Sequence, residues 1–321
     1  MNGRFYIDGI DAYQQFGVFV AQGGYRELVA YPSLKAPATN EWQEDNGAEV
    51  ELSDPKLDKH EFAMSFGFSG GRLRAYEFYS KLCEGAYHTY EFAEIGLEFA
   101  LRVIGNPSFN HLGNCGTMTV KLCNDFPKPL LTIGDEFQVP AGTNSMECDY
   151  WLGDFGGSTP YLPTSIFGVK VLQGTLDEVM IAPDVKKNLE AESKYNHGAA
   201  YDDYRVTHKP KDVKVRMLAR ASTLQELWTN YYGLLYYLTL PSTRMFHCEE
   251  LMRSYECYYK SCTVNAFHPY DKWLDFTLKL CFTDFEAEDY PILLMAENNE
   301  FVATESNQMI NILENYGNTS D

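Results

Sequence analysis

His60, His88, His111, His197, His208, His247 and His268 are the side chains best suited to holding a metal or moving a proton near neutral pH. None of them forms an HxxxH or HxH pair, the spacings that turn two imidazoles toward one ion. Asp8 and Asp11 flank Gly9 like the opening of a calcium loop, yet the alternating oxygens stop there and no Glu closes the series, so a turn is expected. Ser69-Gly70-Gly71-Arg72 lies between an alternating segment and a helical one, where phosphate loops live. It lacks the GxxxxGK pattern and reads as a tight strand-to-helix turn. No GxSxG elbow is present. These residues lead to an expectation of no enzyme activity, no cofactor and no metal site.

The eight cysteines, at 83, 115, 123, 148, 248, 257, 262 and 281, include no CxxC pair and lack the regular density of a disulfide scaffold. Buried free thiols in a reducing compartment are expected, above all for Cys123 and Cys281. A net charge of −19, from 45 acidic and 26 basic residues, disfavours tight nucleic-acid binding and an anionic membrane surface. The acidity is concentrated in 40–54, which carries Glu41, Glu44, Asp45, Glu49, Glu51 and Asp54 without Lys or Arg, and in 286–321. No stretch reaches the roughly 18 apolar residues of a membrane span, and the start resembles no export signal, so synthesis in the cytoplasm is expected.

The elements that position these residues come in two sets. Phe16-Gly17-Val18-Phe19-Val20-Ala21-Gln22-Gly23 returns as Phe167-Gly168-Val169-Lys170-Val171-Leu172-Gln173-Gly174, and the spacing of 151 holds without a gap from Phe16 to Leu73. Thirteen of those 58 positions are identical, including Pro32 with Pro183, Lys35 with Lys186 and Gly47-Ala48 with Gly198-Ala199. Chance would match about one position in sixteen. Downstream, Thr119-Val120-Lys121-Leu122-Cys123 reappears as Thr277-Leu278-Lys279-Leu280-Cys281, with Phe109 over Phe267, at a spacing of 158. A duplicated unit this long can own a core, so the expected organisation is a first β domain over 1–126 and a proline-rich structured connector over 127–159. A second β domain follows over 160–285, then an acidic strand and tail over 286–321.

In the first copy, strands are expected at 5–7, 17–21 and 27–31, with turns at Asp8-Gly9 and Gln22-Gly23-Gly24. A long hairpin runs from Ser33 to Lys59 with Asn46-Gly47 at its tip, and His60 to Phe68 alternates as a one-sided strand. A helix follows over 71–85, with Leu73, Tyr76, Phe78, Tyr79 and Leu82 as its apolar face, then strands at 97–104 and 117–123. The second copy has its hairpin at 184–210, its alternating strand at Val213 to Met217, Leu224, Leu227, Trp228, Tyr231 and Tyr232 on its helix, and closing strands at Tyr255 to Val264 and Leu274 to Phe282. The fold class is therefore mainly β with one flanking helix per domain: two tandem antiparallel sandwiches or barrels. Open sheet edges in such modules suggest assembly through heterologous contacts. Further strands are expected at Leu130 to Ile133, Phe137 to Val139 and Pro291 to Met295, and a weak helix from Asn307 to Tyr316.

This order of elements, carried by Gly17-Val18, the Pro32 to Lys59 hairpin, Phe62 to Phe68, the Leu73 to Leu82 helix and Met118 to Phe126, resembles the ring-forming domain of distal tail proteins of long-tailed bacteriophages. It is also similar to related tail-tube and tail-hub domains. The resemblance implies a non-catalytic baseplate component of a phage or prophage virion tail, made in the bacterial cytoplasm. Its ring would join the tail tube to the receptor-binding apparatus and pass DNA through its lumen, held to other tail proteins. Two domains per chain imply a homo-oligomer, with a trimer of pseudo-sixfold symmetry favoured over a hexamer. Candidate subunit contacts are Trp42, Asn46 and Gly47 on the first hairpin and Tyr195, His197 and Gly198 on the second. An alternative outside this class is a carbohydrate-binding sandwich, prompted by Trp42, Trp151, Trp228 and Trp273.

Overall fold

Chain-order labels follow the computed structural model, which describes residues 1–127, 149–154, 161–187, 190–192, 194–195, 197–201 and 206–284. The first module begins with β1 (Tyr6–Ile7) and β2 (Ile10–Asp11), turned by Asp8 and Gly9, both at positive φ. Asp11 caps α1 (Ala12–Phe16), its carboxylate accepting from the Tyr13 and Gln14 amides, and the helix stops at left-handed Gly17. Asp8 instead takes the Thr89 amide at 2.9 Å and meets His88 Nδ1 at 2.6 Å. Both aspartates of the calcium-like sequence are thus engaged in shaping backbone.

β3 (Val18–Val20) is followed by a helical turn, α2 (Tyr25–Leu28), where the sequence led us to expect a strand. Tyr25 and Leu28 lie three apart and are both buried, a spacing that only a helical turn turns to one side. The hairpin strands β4 (Thr39–Asn40) and β5 (Glu49–Val50) lead to β6 (His60–Ser69), α3 (Arg72–Leu82), β7 (His88–Phe92), β8 (Leu97–Val103), β9 (Ser108–Leu112) and β10 (Cys115–Asn124). Ala75, Phe78 and Leu82 form the buried stripe of α3, whereas Leu73 is 73% exposed and Tyr76 41% exposed, against the expected face.

The second module comprises β11 (Tyr150–Asp154), β12 (Leu162–Pro163), a 3-10 turn over Thr164–Phe167, β13 (Val169–Val171) and α4 (Thr175–Met180). After it come β14 (Glu190–Glu192), β15 (Ala199–Tyr201), β16 (Lys211–Arg220), α5 (Leu224–Leu238), β17 (Arg244–Cys248), β18 (Arg253–His268) and β19 (Trp273–Phe282). β11 falls inside the stretch assigned to a connector, yet it pairs with β17 along its whole length and belongs to the second sheet. The strands expected at 130–133, 137–139 and 291–295 and the helix at 307–316 lie outside the described residues.

The fold is mainly β, 42% strand against 19% helix, in curled antiparallel sheets. Strand order in the first sheet is β2-β1-β7-β8-β10-β6-β3, with β9 also on β10, and in the second β12-β11-β17-β18-β19-β16-β13. Element for element the two orders are the same. The central pair even shares its register, since Cys115 faces Ser69 and Trp273 faces Arg220 at the corresponding places. Backbone bonds outside the ladders recur as well: Ala21 N to Ser65 O with Leu172 N to Arg216 O, and Lys35 N to Lys56 O with Lys186 N to Thr207 O.

One difference has a local cause. β18 pairs along all of β19 with shifts at Tyr259/Ser261 and Val264/Ala266, whereas the first module breaks the matching strand into β8 and β9 at Gly105-Asn106-Pro107. Pro107 has no amide to give the ladder, and bulges let the second copy run through.

Phe5, Phe66, Phe78, Tyr90 and Phe92 interlock in the first core, with the Phe5 and Phe92 rings 5.1 Å apart at 7°. Buried apolar contact continues without a break into the second module. Cys123 and Cys281 are buried free thiols, and burial pushes each up to about 11, so both stay uncharged. Cys148 lies outside the described residues.

Candidate functional site

The junction between the modules is built mainly from one segment of the first and one helix of the second. α5 is buried nearly all round because it covers its own sheet on one side and the first module on the other. From it Tyr231 donates through Oη to Val29 O at 3.1 Å, and Trp228 Nε1 donates to Ile95 O at 2.7 Å. Tyr259 donates to Pro32 O at 2.9 Å, and its ring meets Tyr31 edge-on at 5.9 Å. Burial pushes Tyr31 up to about 12 and raises Tyr231 and Tyr259 strongly, so all three hydroxyls remain protonated at any ordinary pH.

Beyond this core the first hairpin reaches across the second module. Leu34 N donates to Lys260 O at 2.9 Å, at the strand irregularity beside Tyr259 that frees a carbonyl from the ladder. Leu52 is buried with Tyr258 and Cys281, backed by Leu34 and Val50. At the tip, Lys186 Nζ donates to three carbonyls of the hairpin: Trp42 O at 2.6 Å, Asp45 O at 2.7 Å and Gly47 O at 2.6 Å. Thr207 Oγ1 donates to Gln43 O at 2.8 Å, the His208 amide to Asn46 Oδ1 at 2.9 Å, and the Gly47 amide to His208 O at 2.8 Å. Ala48 N closes the set on Thr283 O at 2.8 Å.

Gly47 fits only because it lacks a side chain. Its φ is +68°, and a Cβ there would stand 1.7 Å from Thr283 O. Lys186 is only 6% exposed and its ammonium is held by three carbonyl oxygens, so the tip behaves as a built lock rather than a surface loop.

The six residues singled out in the sequence fall into two groups. Asn46 and Gly47 are locked onto the second module, and Trp42, half exposed at 51%, contributes its carbonyl to the same lock. Tyr195 is 84% exposed, with the Lys194 ammonium 5.0 Å from its ring centre, and His197 and Gly198 are also exposed. The first hairpin thus makes its contact within the chain. Lys186, Thr207, His208 and Thr283 complete that contact, and none of them is marked as a contact residue by the sequence. Lys35/Lys186 identity was visible as a signal, but burial of one and not the other was not.

Of the four tryptophans only Trp42 is exposed, and Trp228 is buried, so they form no exposed coplanar row for a sugar. Among the described residues no three His, Cys, Asp or Glu side chains converge as a metal site, and no helix is long and apolar enough to cross a membrane.

No protein-family model matches the chain, and no curated protein matches it. Among solved structures, it is similar to the crystal structure of the SPP1 Dit (gp 19.1) protein, described as a paradigm of the hub adsorption apparatus in phages infecting Gram-positive bacteria. The alignment covers 88% of this chain and 99% of that one, at 9% identity and a TM-score of 0.28.

Proposed function

We propose that this chain is a non-enzymatic structural subunit of a phage or prophage tail, descended from a tandem duplication. Its copies form a ring at the distal end that joins the tail tube to the receptor-binding apparatus and lets DNA pass. The carrying observation is the tip of the first hairpin locked onto a second module of the same strand order. One module thereby grips the next through unlike faces, and repetition of such a heterologous contact closes a ring when its rotation fits. The resemblance of the elements to distal tail domains supports the same reading. Three chains would supply six modules in pseudo-sixfold symmetry. An excess of 19 negative charges suits a lumen through which phosphates slide without being held.

Light scattering over a concentration series, followed by negative-stain imaging, tests this. Closed particles of three or six chains with a central hole are expected. A monomer at every concentration, or compact particles without a lumen, would overturn the ring.

A further inference from the structure

We propose that the second hairpin, through Tyr195, His197 and Gly198, docks onto the first module of another copy of this chain, where the ammonium of Lys35 takes up the Gly198 carbonyl. The proposal rests on the reading of the chain as a ring-forming subunit and assigns the surfaces that meet. It follows from applying the repeat to the lock already present inside the chain.

Lys186 and Lys35 occupy the same repeat position and are held alike, each donating its backbone amide at 2.8 Å to the returning strand of its hairpin. Lys186 is buried by three carbonyls of the first hairpin, whereas Lys35 is exposed and its ammonium has no partner among the described residues. Gly47 and Gly198 form the matching half. Both are left-handed, at +68° and +79°, but a Cβ on Gly47 would collide with the second module while one on Gly198 would meet nothing within 4 Å among the described residues. A left-handed glycine and an unpartnered lysine are thus left over at the two places where the repeat calls for a contact.

The receiving wall has changed in step with the tip. In the second module it is made by His208, Glu256, Thr283 and Asp284 around Asn46 and Gly47. At the spacings of 151 and 158, and in the shared strand register for Glu256, the first module places Leu57, Ala100, Asp125 and Phe126 there. Leu57, Ala100 and Phe126 line an open groove of about 310 Å³, and Phe126 is 74% exposed. The second hairpin meanwhile carries Tyr195 and His197 where the first has Glu44 and Asn46. Glu44 and Asn46 on a polar wall have become Tyr195 and His197 facing a wall that is apolar except for Asp125, a change on both sides that suits a second copy of the chain. At the rest of the contact, Ser80 and Val103 stand in the first module where Tyr231 and Tyr259 stand in the second. This part of the contact between chains is therefore smaller and less aromatic than the one within the chain, which suits a reversible association.

The test mixes two chains that each carry one added cysteine, Leu57→Cys and His197→Cys, each in a Cys83→Ser, Cys115→Ser, Cys148→Ser background that leaves only buried native thiols, under mild oxidation. These positions match His208 and Asn46, which are hydrogen-bonded across the internal contact. The mixture is expected to give a cross-linked pair that neither chain gives alone. Lys35→Ala, at an exposed site, is expected to keep the far-UV spectrum and denaturation midpoint of the parent while weakening self-association by about tenfold or more. Closed rings that tolerate Lys35→Ala and give no cross-link would overturn this contact and leave the ring standing. Open filaments carrying the cross-link would uphold the contact and overturn the ring, and a monomer at every concentration would overturn both.

Discussion

At the residue scale, two pairs of identical residues have diverged in environment, and their variants should separate accordingly. Lys186→Met leaves three hairpin carbonyls without their donor, so a loss of about 3 kcal/mol is expected in chemical denaturation, whereas Lys35→Met should stay within about 0.5 kcal/mol in the monomer. Comparable losses at the two lysines would contradict the lock. Gly47→Ala adds a clash with Thr283 O to the left-handed strain and is expected to cost on the order of 3 kcal/mol, against about 1 kcal/mol for Gly198→Ala.

His60 carries a pH signature. Burial pushes it down to about 4 from 6.5, so the unfolded chain takes up the proton first as pH falls. Stability from this group is therefore intact above pH 6.5 and drains away between about 6.5 and 4. Denaturation at pH 6.5 and pH 5 should show roughly 2 kcal/mol less acid loss in His60→Gln than in the parent. Equal acid sensitivity would place the cause elsewhere.

At the scale of elements, the decisive feature is that α5 is apolar on more sides than α3. A helix covering one sheet needs one stripe, and Ala75, Phe78 and Leu82 supply it in the first module. The second helix also presents Trp228, Tyr231 and Tyr232 to a neighbour, a difference visible in the sequence as composition but not as a contact. Tyr231→Phe removes the hydroxyl that serves Val29 O and should cost about 1 to 2 kcal/mol. Calorimetry of this variant should show a lower midpoint without a second transition. Elsewhere the elements were harder to read. The turn α2 is four residues long, too short for a helical period to show against a background of alternating residues. β7 and β17 are five residues each, too short for their alternation to stand out beside the long helices that precede them. β11 was hidden by a proline-rich neighbourhood that reads as a linker.

At the scale of the whole molecule, buried apolar side chains run continuously from one module into the other, and the first hairpin clasps the second sheet. The described residues are therefore expected to unfold as one cooperative unit despite the internal repeat, giving one calorimetric transition whose van't Hoff and calorimetric enthalpies agree. Two separated transitions would mean that the modules hold together weakly.

The sequence by itself determined the repeat, the placement of β6, β10, β16 and β19, both long helices, and the glycine-tipped hairpins, because these depend on local periodicity and turn chemistry that each residue carries with it. Only the tertiary structure decided which of two identical glycines is locked and which is open, and which of two identical lysines is buried. Those outcomes depend on what lies across a gap from residues more than a hundred positions away, and nothing in local spacing encodes that neighbour. The same holds for Tyr31 and Tyr259, whose value as a junction exists only once the two sheets meet.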